Sequence, residues 1–401
     1  MQPVRTGSKE LIREINAALV LHELRAESLL SRTELAKRTG LSLPTVSEIT
    51  AELIETGVIE ERATGLSGGG RRPILLALRP DAGAVVGIKL TETQVIAVLT
   101  DLNARILGRI TLPLPRTSVP RVIQTVAKAV RALAADSPSR LYGVGVGLAG
   151  VIDRAAGVVR HGTYSDWHDV DLAGLLQREL GQPVVVDNDV NTLVASEQWF
   201  GAGRGVSDVA VVSIGRGIGL GMVLDGRLYR GAGGGAGEFG HTKVVANGPL
   251  CPCGGRGCLE TLIGEPALTA RAATILGREA DLDEVAALAR QGDRRLATIF
   301  SDLGGTLGVA VGNLINLLNP KLIVLAGEGT RVGDLFKTEF DSSLRATVFD
   351  GLQRDLEIVI GAWDDEAWAQ GAAGLFLGEL FEPNLRPDEA GRPSLTARSA
   401  S

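Results

Sequence analysis

Residues 241–260 read HTKVVANGPLCPCGGRGCLE and hold all three cysteines of a chain of 401 residues. His241, Cys251, Cys253 and Cys258 offer one imidazole and three thiolates, the donor set of a closed structural zinc site. Glycines between the cysteines let such a loop fold round an ion without side-chain clashes. The stretch predicts one structural Zn²⁺ per chain; the alternative is a metal-free loop with buried thiols.

Outside this loop the composition is that of an ordinary water-soluble protein. Hydrophobic residues make up 45% of the chain and charged residues 22%, which excludes wholesale disorder. No apolar run approaches the ~20 residues that span a bilayer, and the N-terminus lacks the apolar core of a signal peptide. We therefore expect a cytoplasmic protein of two or three domains, without a membrane partner.

The first 80 residues differ from the remainder in charge and in pattern. They carry net +1, whereas the remainder carries net −7. Apolar residues at helical spacing in 10–24, a capping box over 31–34 and a further helix from about 42 to 56 predict three helices. A glycine-rich tip between two apolar strands predicts a hairpin after them. Residues 1–80 are therefore predicted to form a winged helix-turn-helix domain.

The third helix and the hairpin tip of this head carry the predicted DNA contacts. A small polar face at a helix N-terminus suits base edges in a major groove, and arginines at a wing tip suit phosphates or a minor groove. The alternative is a helical protein-interaction domain with a solvated hairpin. The predicted DNA-binding residues are Ser42, Thr45, Ser47, Glu48, Arg71 and Arg72.

From about residue 83 onward, short apolar strands alternate with helical stretches, which predicts an α/β architecture. Some 300 residues are large for one hydrophobic core, so we expect two lobes with a cleft. This body is predicted to span 83–381, and the proline- and serine-containing tail 382–401 is predicted to be disordered.

The metal-loop pattern resembles that of the ROK family of repressors and sugar kinases. His241 followed by the Cys-x-Cys-Gly-x₂-Gly-Cys-x-Glu run matches the family's motif, and the resemblance extends over roughly residues 83–380. The winged head resembles that of the family's transcriptional regulators. The resemblance implies a two-lobed actin-like (ribonuclease-H-like) ATPase fold, which agrees with the α/β pattern.

The resemblance also implies a sugar site. Glu238 and His241 match the family's Glu-x-Gly-His motif, and the segment 187–189 matches the one that holds the kinases' catalytic base, here Asp189. Carboxylates and an amide suit the hydroxyl groups of a sugar, whereas the alternative for 187–189 is a plain turn after a strand. The stretch 161–167 differs from that of the kinases, which carry an asparagine there, so the identity of the sugar is left open. The implied sugar-binding residues are Gly150, Asn188, Asp189, Glu238, His241 and Glu260.

The phosphate loops depart from the family pattern. Kinases of this fold carry Asp-x-Gly-Gly-Thr after the first strand, whereas this chain has Lys89, Thr91 and Glu92 at the aspartate and glycine positions. The magnesium carboxylate is lost, and side chains replace the glycines that let backbone amides approach phosphates. Arg216 replaces the usual threonine of the second loop. We therefore expect no kinase activity, although the base Asp189 is retained.

Together these features predict a sugar-responsive, DNA-binding transcriptional regulator, a repressor of carbohydrate-metabolism genes that is inactive as a kinase. Its expected partners are operator DNA and a sugar or sugar derivative, and two-fold operators favour a homodimer or homotetramer. One alternative is an active ATP-dependent ROK sugar kinase with a regulatory head. Another is a phosphotransferase-system protein that docks near the zinc loop in place of a sugar.

Overall fold

The computed structural model describes residues 9–64, 73–135, 137–162, 167–361 and 365–381. They divide into two compact units, one within residues 1–187 and 368–401 and the other within 188–367. The predicted wing arginines Arg71 and Arg72 and the predicted tail 382–401 lie outside the described residues.

The head has the predicted helix-turn-helix followed by hairpin strands. The predicted capping box is present, because Glu34 N donates to Ser31 Oγ and Ser31 N donates to the Glu34 carboxylate at 2.8 Å. Gly40 then ends the second helix in the left-handed region, with φ 71°. The three strands pair in the order β1-β3-β2. The head elements are α1 (Lys9–Ala26), β1 (Leu30–Ser31), α2 (Arg32–Thr39), α3 (Leu43–Glu55), β2 (Ile59–Thr64) and β3 (Ile74–Leu78).

A five-stranded sheet forms the centre of the remaining first unit, and three short strands form a separate antiparallel sheet. The large sheet has the order β11-β7-β4-β5-β6, and every residue of its central strand β4 is buried. The elements are β4 (Ala84–Leu90), β5 (Gln94–Asp101), β6 (Ile106–Pro113), α4 (Val119–Ala135), β7 (Leu141–Leu148), β8 (Gly150–Asp153), β9 (Val158–Gly162), β10 (His168–Val170), α5 (Leu172–Leu180) and β11 (Val184–Asn188).

The second unit contains another five-stranded sheet, in the order β14-β13-β12-β15-β16, with helices α8 to α11 packed into its core. Strand β12 pairs antiparallel with β13 and parallel with β15. The elements are α6 (Asp189–Phe200), β12 (Val209–Ile214), β13 (Ile218–Leu224), β14 (Arg227–Tyr229), α7 (Glu260–Ile263), α8 (Glu265–Leu276), α9 (Leu282–Arg290), α10 (Arg294–Leu318), β15 (Leu322–Ala326), α11 (Gly333–Thr347) and β16 (Glu357–Ile360).

The two large sheets share one topology. In each, the first strand lies at the centre, the next two follow on one side, and the fourth and fifth lie on the other side. This duplication is the feature expected of an actin-like fold, so the predicted fold class is confirmed. The sequence shows no fixed-period repeat, because the duplication resides in strand order rather than in residue identity.

The last described helix, α12 (Asp365–Phe381), packs closely on the sheet of the first unit. Gly87 and Gly145 lack side chains where this helix passes, and a Cβ on either would lie 1.9 Å from a carbonyl oxygen of α12. The helix backbone therefore rests directly on β4 and β7.

Helix α10 begins at Arg294, where Asp293 Oδ1 caps it by accepting from Arg295 N at 3.0 Å. Among the described residues, this helix is the one that is long and apolar enough to cross a membrane by length and composition, and most of its apolar window is buried in the second unit.

Candidate functional sites

The predicted zinc ligands meet in one group, called here the cysteine–histidine cluster: His241, Cys251, Cys253 and Cys258. Their ligating atoms all lie within 4.8 Å of one another. Cys251 Sγ lies 3.5 Å from His241 Nδ1, and Cys253 Sγ lies 3.6 Å from Cys258 Sγ. A tetrahedral site with zinc–sulfur bonds of about 2.3 Å has edges of about 3.8 Å. Donor types and spacings therefore both fit a tetrahedral zinc ion.

Backbone hydrogen bonds shape the loop that presents these thiols. Cys251 N donates to Gly255 O at 2.8 Å, and Gly257 N donates to Pro249 O at 2.9 Å. Gly257 adopts φ 70°, and a Cβ there would lie 1.7 Å from Val245 O, so only glycine fits. The fold of the loop thus brings the sulfur atoms together through its own backbone.

The thiols have unequal electrostatic surroundings. Burial raises the pKa of the Cys251 thiol to about 12, whereas a hydrogen bond from the Gly255 backbone lowers the pKa of Cys253. A thiol binds metal as the thiolate, so an ion entering the cluster must displace the Cys251 proton. Metal affinity should therefore rise with pH.

Strand β13 supports the predicted sugar residues of the second unit. Asn188 caps α6, and Gly219 of β13 lacks a side chain where Val190 of this helix packs; a Cβ would lie 2.5 Å from Val190 Cγ2. A backbone hydrogen bond from Leu220 N of β13 to Gly237 O holds the chain just before the 3₁₀ turn Phe239–His241. The segments holding Asn188, Asp189, Glu238 and His241 therefore pack on one strand.

Glu260 approaches the same strand from the far end of the metal loop. Its Oε2 accepts from Ile218 N at 3.3 Å, and it begins α7 two residues after the predicted ligand Cys258. A Cβ on Gly217 would lie 2.8 Å from this oxygen. The chain thus couples the position of Glu260 to the cysteine–histidine cluster.

His241 faces the cluster with one nitrogen and a predicted sugar ligand with the other. Its Nδ1 lies beside Cys251, while its Nε2 lies 3.8 Å from Glu238 Oε2. Glu238 is exposed, and His241 is half-buried. A metal that holds Nδ1 would fix the direction of Nε2.

Asn188 and Asp189 lie at the turn between β11 and α6. Both side-chain Oδ1 atoms accept from Val190 N, at 2.8 and 2.9 Å, which fixes them at the N-terminus of α6. Gly150 lies in the first unit, where it opens β8 at φ 132° and a Cβ would lie 2.3 Å from His161 O. Its contact with a sugar stays a prediction.

In the stretch 161–167, residues 163–166 lie outside the described part of the chain. Trp167 is buried, and its Nε1 donates to Thr117 O at 2.8 Å, so it contributes to the core. His161 faces His168 across the strand pair β9–β10, with ring centroids 5.0 Å apart.

The first phosphate loop has become an ordinary hairpin turn. Lys89 is only 8% exposed, and its ammonium lies 4.2 Å from the centroid of the Trp368 ring in α12. Thr91 closes the turn, because its Oγ1 accepts from Gln94 N and from Thr93 N. Phosphate binding would require exposed backbone amides in this loop, whereas side chains occupy it here.

A cavity of about 660 Å³ in the second unit lies beside the second phosphate loop. Arg216 and two carboxylates, Glu265 and Glu328, contribute to its lining. Glu328 packs on the loop itself, since a Cβ on Gly215 would lie 2.5 Å from its Oε2. Arg331 in the cavity wall is engaged by Asp283 at 2.7 Å. The lining thus carries two carboxylates, Glu265 and Glu328, and two guanidinium groups, Arg216 and Arg331.

The predicted DNA-binding face lies at the N-terminal end of α3. Ser42 caps the helix, accepting from Thr45 N at 3.3 Å, and Glu48 is exposed. Thr45 is half-buried, as is Ser47, whose Oγ donates to Leu43 O at 2.8 Å. The opposite face, with Val46, Ile49 and Leu53, is buried. Glu52 forms an exposed ion pair with Arg13 of α1 at 2.5 Å.

Sequence reasoning missed Lys243, Trp368 and Glu328 as neighbours of these sites. Lys243 lies two residues after the predicted ligand His241, yet nothing in the spacing shows that its ammonium turns toward the sulfurs. Trp368 is far from Lys89 in the chain, so no local signal connects them.

Residues 85–379 match the ROK family, and residues 19–60 match a winged helix-turn-helix DNA-binding domain. The xylose repressor of Caldicellulosiruptor bescii is 29% identical over 393 residues, covering 94% of this chain and 98% of that protein. Its similarity thus includes the head as well as the body.

Two solved structures show the same fold. A ROK family transcriptional regulator, a homologue of the Escherichia coli MLC protein, superposes with a TM-score of 0.82 at 25% identity, over 92% of this chain and 98% of that chain. A ROK family glucokinase from Streptomyces griseus, in complex with glucose and AMPPNP, gives a TM-score of 0.65 at 28% identity, over 73% and 99%. Since the family match spans most of the sequence, the chain belongs to the ROK family.

Proposed function

We propose that this protein is a sugar-responsive transcriptional regulator that represses genes of carbohydrate metabolism. One observation carries the proposal: a winged helix-turn-helix head precedes a ROK body, and a protein named as a xylose repressor matches this arrangement over 94% of the chain. The polar face that begins at Ser42 enters the major groove, and Arg71 and Arg72 bind the DNA backbone or the minor groove.

The proposed effector is a sugar or sugar derivative held by Asn188, Asp189, Glu238, His241 and Glu260, with Gly150 as a further contact. Support comes from the three segments that pack on β13 and from the fixed geometry of Asn188 and Asp189. The effector releases DNA only if it binds the DNA-incompetent state more tightly than the competent one. A tenfold loss of DNA affinity requires the free energy of sugar binding to differ by about 1.4 kcal/mol between the two states.

The proposed metal is one structural zinc ion per chain, held by the cysteine–histidine cluster. All four coordination positions come from protein, so no position remains for a reactive water. When bound, the ion supplies a rigid tetrahedral anchor. His241 and Cys258, held by the ion, would then fix the two ends of the loop between them. Glu238 lies just before this loop and Glu260 just after it, so both carboxylates would be oriented by the ion.

The protein is proposed to act in the cytoplasm as a homodimer or homotetramer, because two-fold assemblies match two-fold operators. The proposed domains are residues 1–80 for the head and 83–381 for the body, with a disordered tail at 382–401.

A second candidate function is an active sugar kinase, which the retained Asp189 and the glucokinase match favour. We propose instead that the chain lacks this activity. In the first phosphate loop, Lys89 packs on Trp368 and Thr91 closes the turn. Phosphoryl transfer depends mainly on positioning metal-bound phosphates, and a loop without the aspartate and the glycines is poorly suited to that task.

The test is fluorescence polarisation with the full-length protein and its own upstream intergenic DNA. The DNA is titrated without ligand and then with D-xylose, D-glucose, N-acetyl-D-glucosamine and their phosphate esters. Release by one sugar in the wild type, and a weaker response in Asp189→Asn with unchanged ligand-free affinity, supports the proposal. Specific DNA binding that no sugar alters contradicts the effector assignment and favours a protein partner.

A further inference from the structure

The side chain of Lys243 lies against the cysteine–histidine cluster. Its Nζ lies 2.7 Å from Cys258 Sγ, 4.0 Å from Cys253 Sγ and 2.9 Å from His241 O. Lys243 and Cys258 also pair in an antiparallel bridge, so the backbone itself places the lysine beside the sulfur. Two sulfurs and a carbonyl therefore surround an ammonium that has three donors.

The loop leaves room for this ammonium. Gly255 has no side chain, and a Cβ there would lie 2.7 Å from Lys243 Nζ and 2.9 Å from its Cε. The end of the lysine thus occupies space that a larger residue at 255 would fill. The contact depends on two features of the loop, the bridge to Cys258 and the glycine at 255.

Charge gives this contact a role once metal is bound. Three thiolates and a neutral imidazole around a divalent ion carry a net charge of −1, and an adjacent ammonium neutralises it. Hydrogen bonds from N–H donors to ligand atoms also orient them, and loss of such supporting groups typically weakens metal binding by about 10- to 100-fold.

We propose that Lys243 is a positioning and charge-compensating residue that strengthens zinc binding by the cysteine–histidine cluster. This inference rests on the proposed zinc site and goes beyond it, because it assigns part of the affinity to a residue outside the four ligands. Since Lys243 is exposed, salt reaches the contact, and its electrostatic contribution declines as ionic strength rises.

The experiment measures zinc affinity of the full-length protein by competition with a chromophoric chelator. Lys243→Met removes the charge, Lys243→Arg keeps it, and Gly255→Ala crowds the lysine without removing it. Arg256→Met is the matched control, because Arg256 is a cation of the same loop and its guanidinium contacts Gly248 O at 3.4 Å. Thermal unfolding of each variant checks that it is folded.

We expect zinc affinity about 10-fold weaker in Lys243→Met, close to wild type in Lys243→Arg and in the control, and reduced in Gly255→Ala. The difference between wild type and Lys243→Met should shrink between 50 mM and 1 M salt, which loss of packing alone would not produce. Equal affinities for wild type and Lys243→Met, or an equal loss in Arg256→Met, overturn the inference. Wild-type protein without zinc overturns the zinc proposal and this inference together.

Discussion

Replacing Cys258 by serine should disconnect the sugar site from its metal anchor. Cys258 is fully buried in the second unit and contributes one sulfur to the cysteine–histidine cluster. Two residues later, Glu260 reaches Ile218 N at 3.3 Å, and across the cluster His241 Nδ1 faces Cys251. Losing the ion therefore frees two proposed sugar ligands, His241 and Glu260, at once.

The size of the effect follows from the hydrogen bonds involved. A buried polar group that loses its partner costs about 1–3 kcal/mol. Two such bonds, lost at the low end of that range, weaken sugar binding by about 30-fold. Ligand-free operator affinity should stay within about threefold of wild type, because the helix-turn-helix elements lie in residues 9–64 and 73–78, remote in sequence from the metal loop.

The assay combines zinc analysis, thermal unfolding and polarisation titrations of operator release. Cys258→Ser should contain less than one zinc per chain and need about 30-fold more sugar for half-release. Arg256→Met, in the same loop, is the control and should behave as wild type. A Cys258→Ser protein that lacks zinc yet releases DNA at the wild-type sugar concentration would refute the coupling of metal to effector.

Three further predictions concern the loops, the wing and pH. A coupled assay of wild-type protein with ATP and hexoses or amino sugars should show no turnover, and a rate near ~1 s⁻¹ would establish the kinase alternative. Arg71→Ala with Arg72→Ala should weaken operator binding and lower its salt slope by up to ~2; an unchanged slope would exclude the wing from the interface. The pKa of Cys251 is about 12, so its thiol must lose a proton when metal binds. Zinc affinity should therefore rise about tenfold per pH unit for each proton released. A zinc affinity that is constant from pH 6 to 8 would contradict this.

Local signals in the sequence were sufficient for the helices of the head. The capping box at Ser31 and Glu34 and the left-handed Gly40 involve residues within one or two turns of each other, so spacing alone predicts them. Burial of Val46, Ile49 and Leu53 follows in the same way from helical periodicity. The ion pair between Glu52 and Arg13 has no such local signal, because Arg13 lies on another helix.

Long-range contacts explain what the sequence could not predict. The pairing of β4 with β7 joins strands separated by two other strands and a helix, so the shared topology of the two large sheets has no local signature. Lys89 looked like a defective phosphate ligand, whereas its burial on Trp368 depends on the docking of α12. The grouping of His241 with Cys251, Cys253 and Cys258 was predictable, because three cysteines and a histidine within one short loop are a compositional signal.

Measuring sugar affinity with and without saturating operator DNA shows whether a sugar controls DNA binding. Linkage requires that DNA and sugar affect each other by the same factor. We expect operator DNA to weaken sugar binding by the factor with which the sugar weakens operator binding, and Asp189→Asn to reduce sugar affinity in both states. A sugar affinity that is identical with and without operator DNA would contradict it.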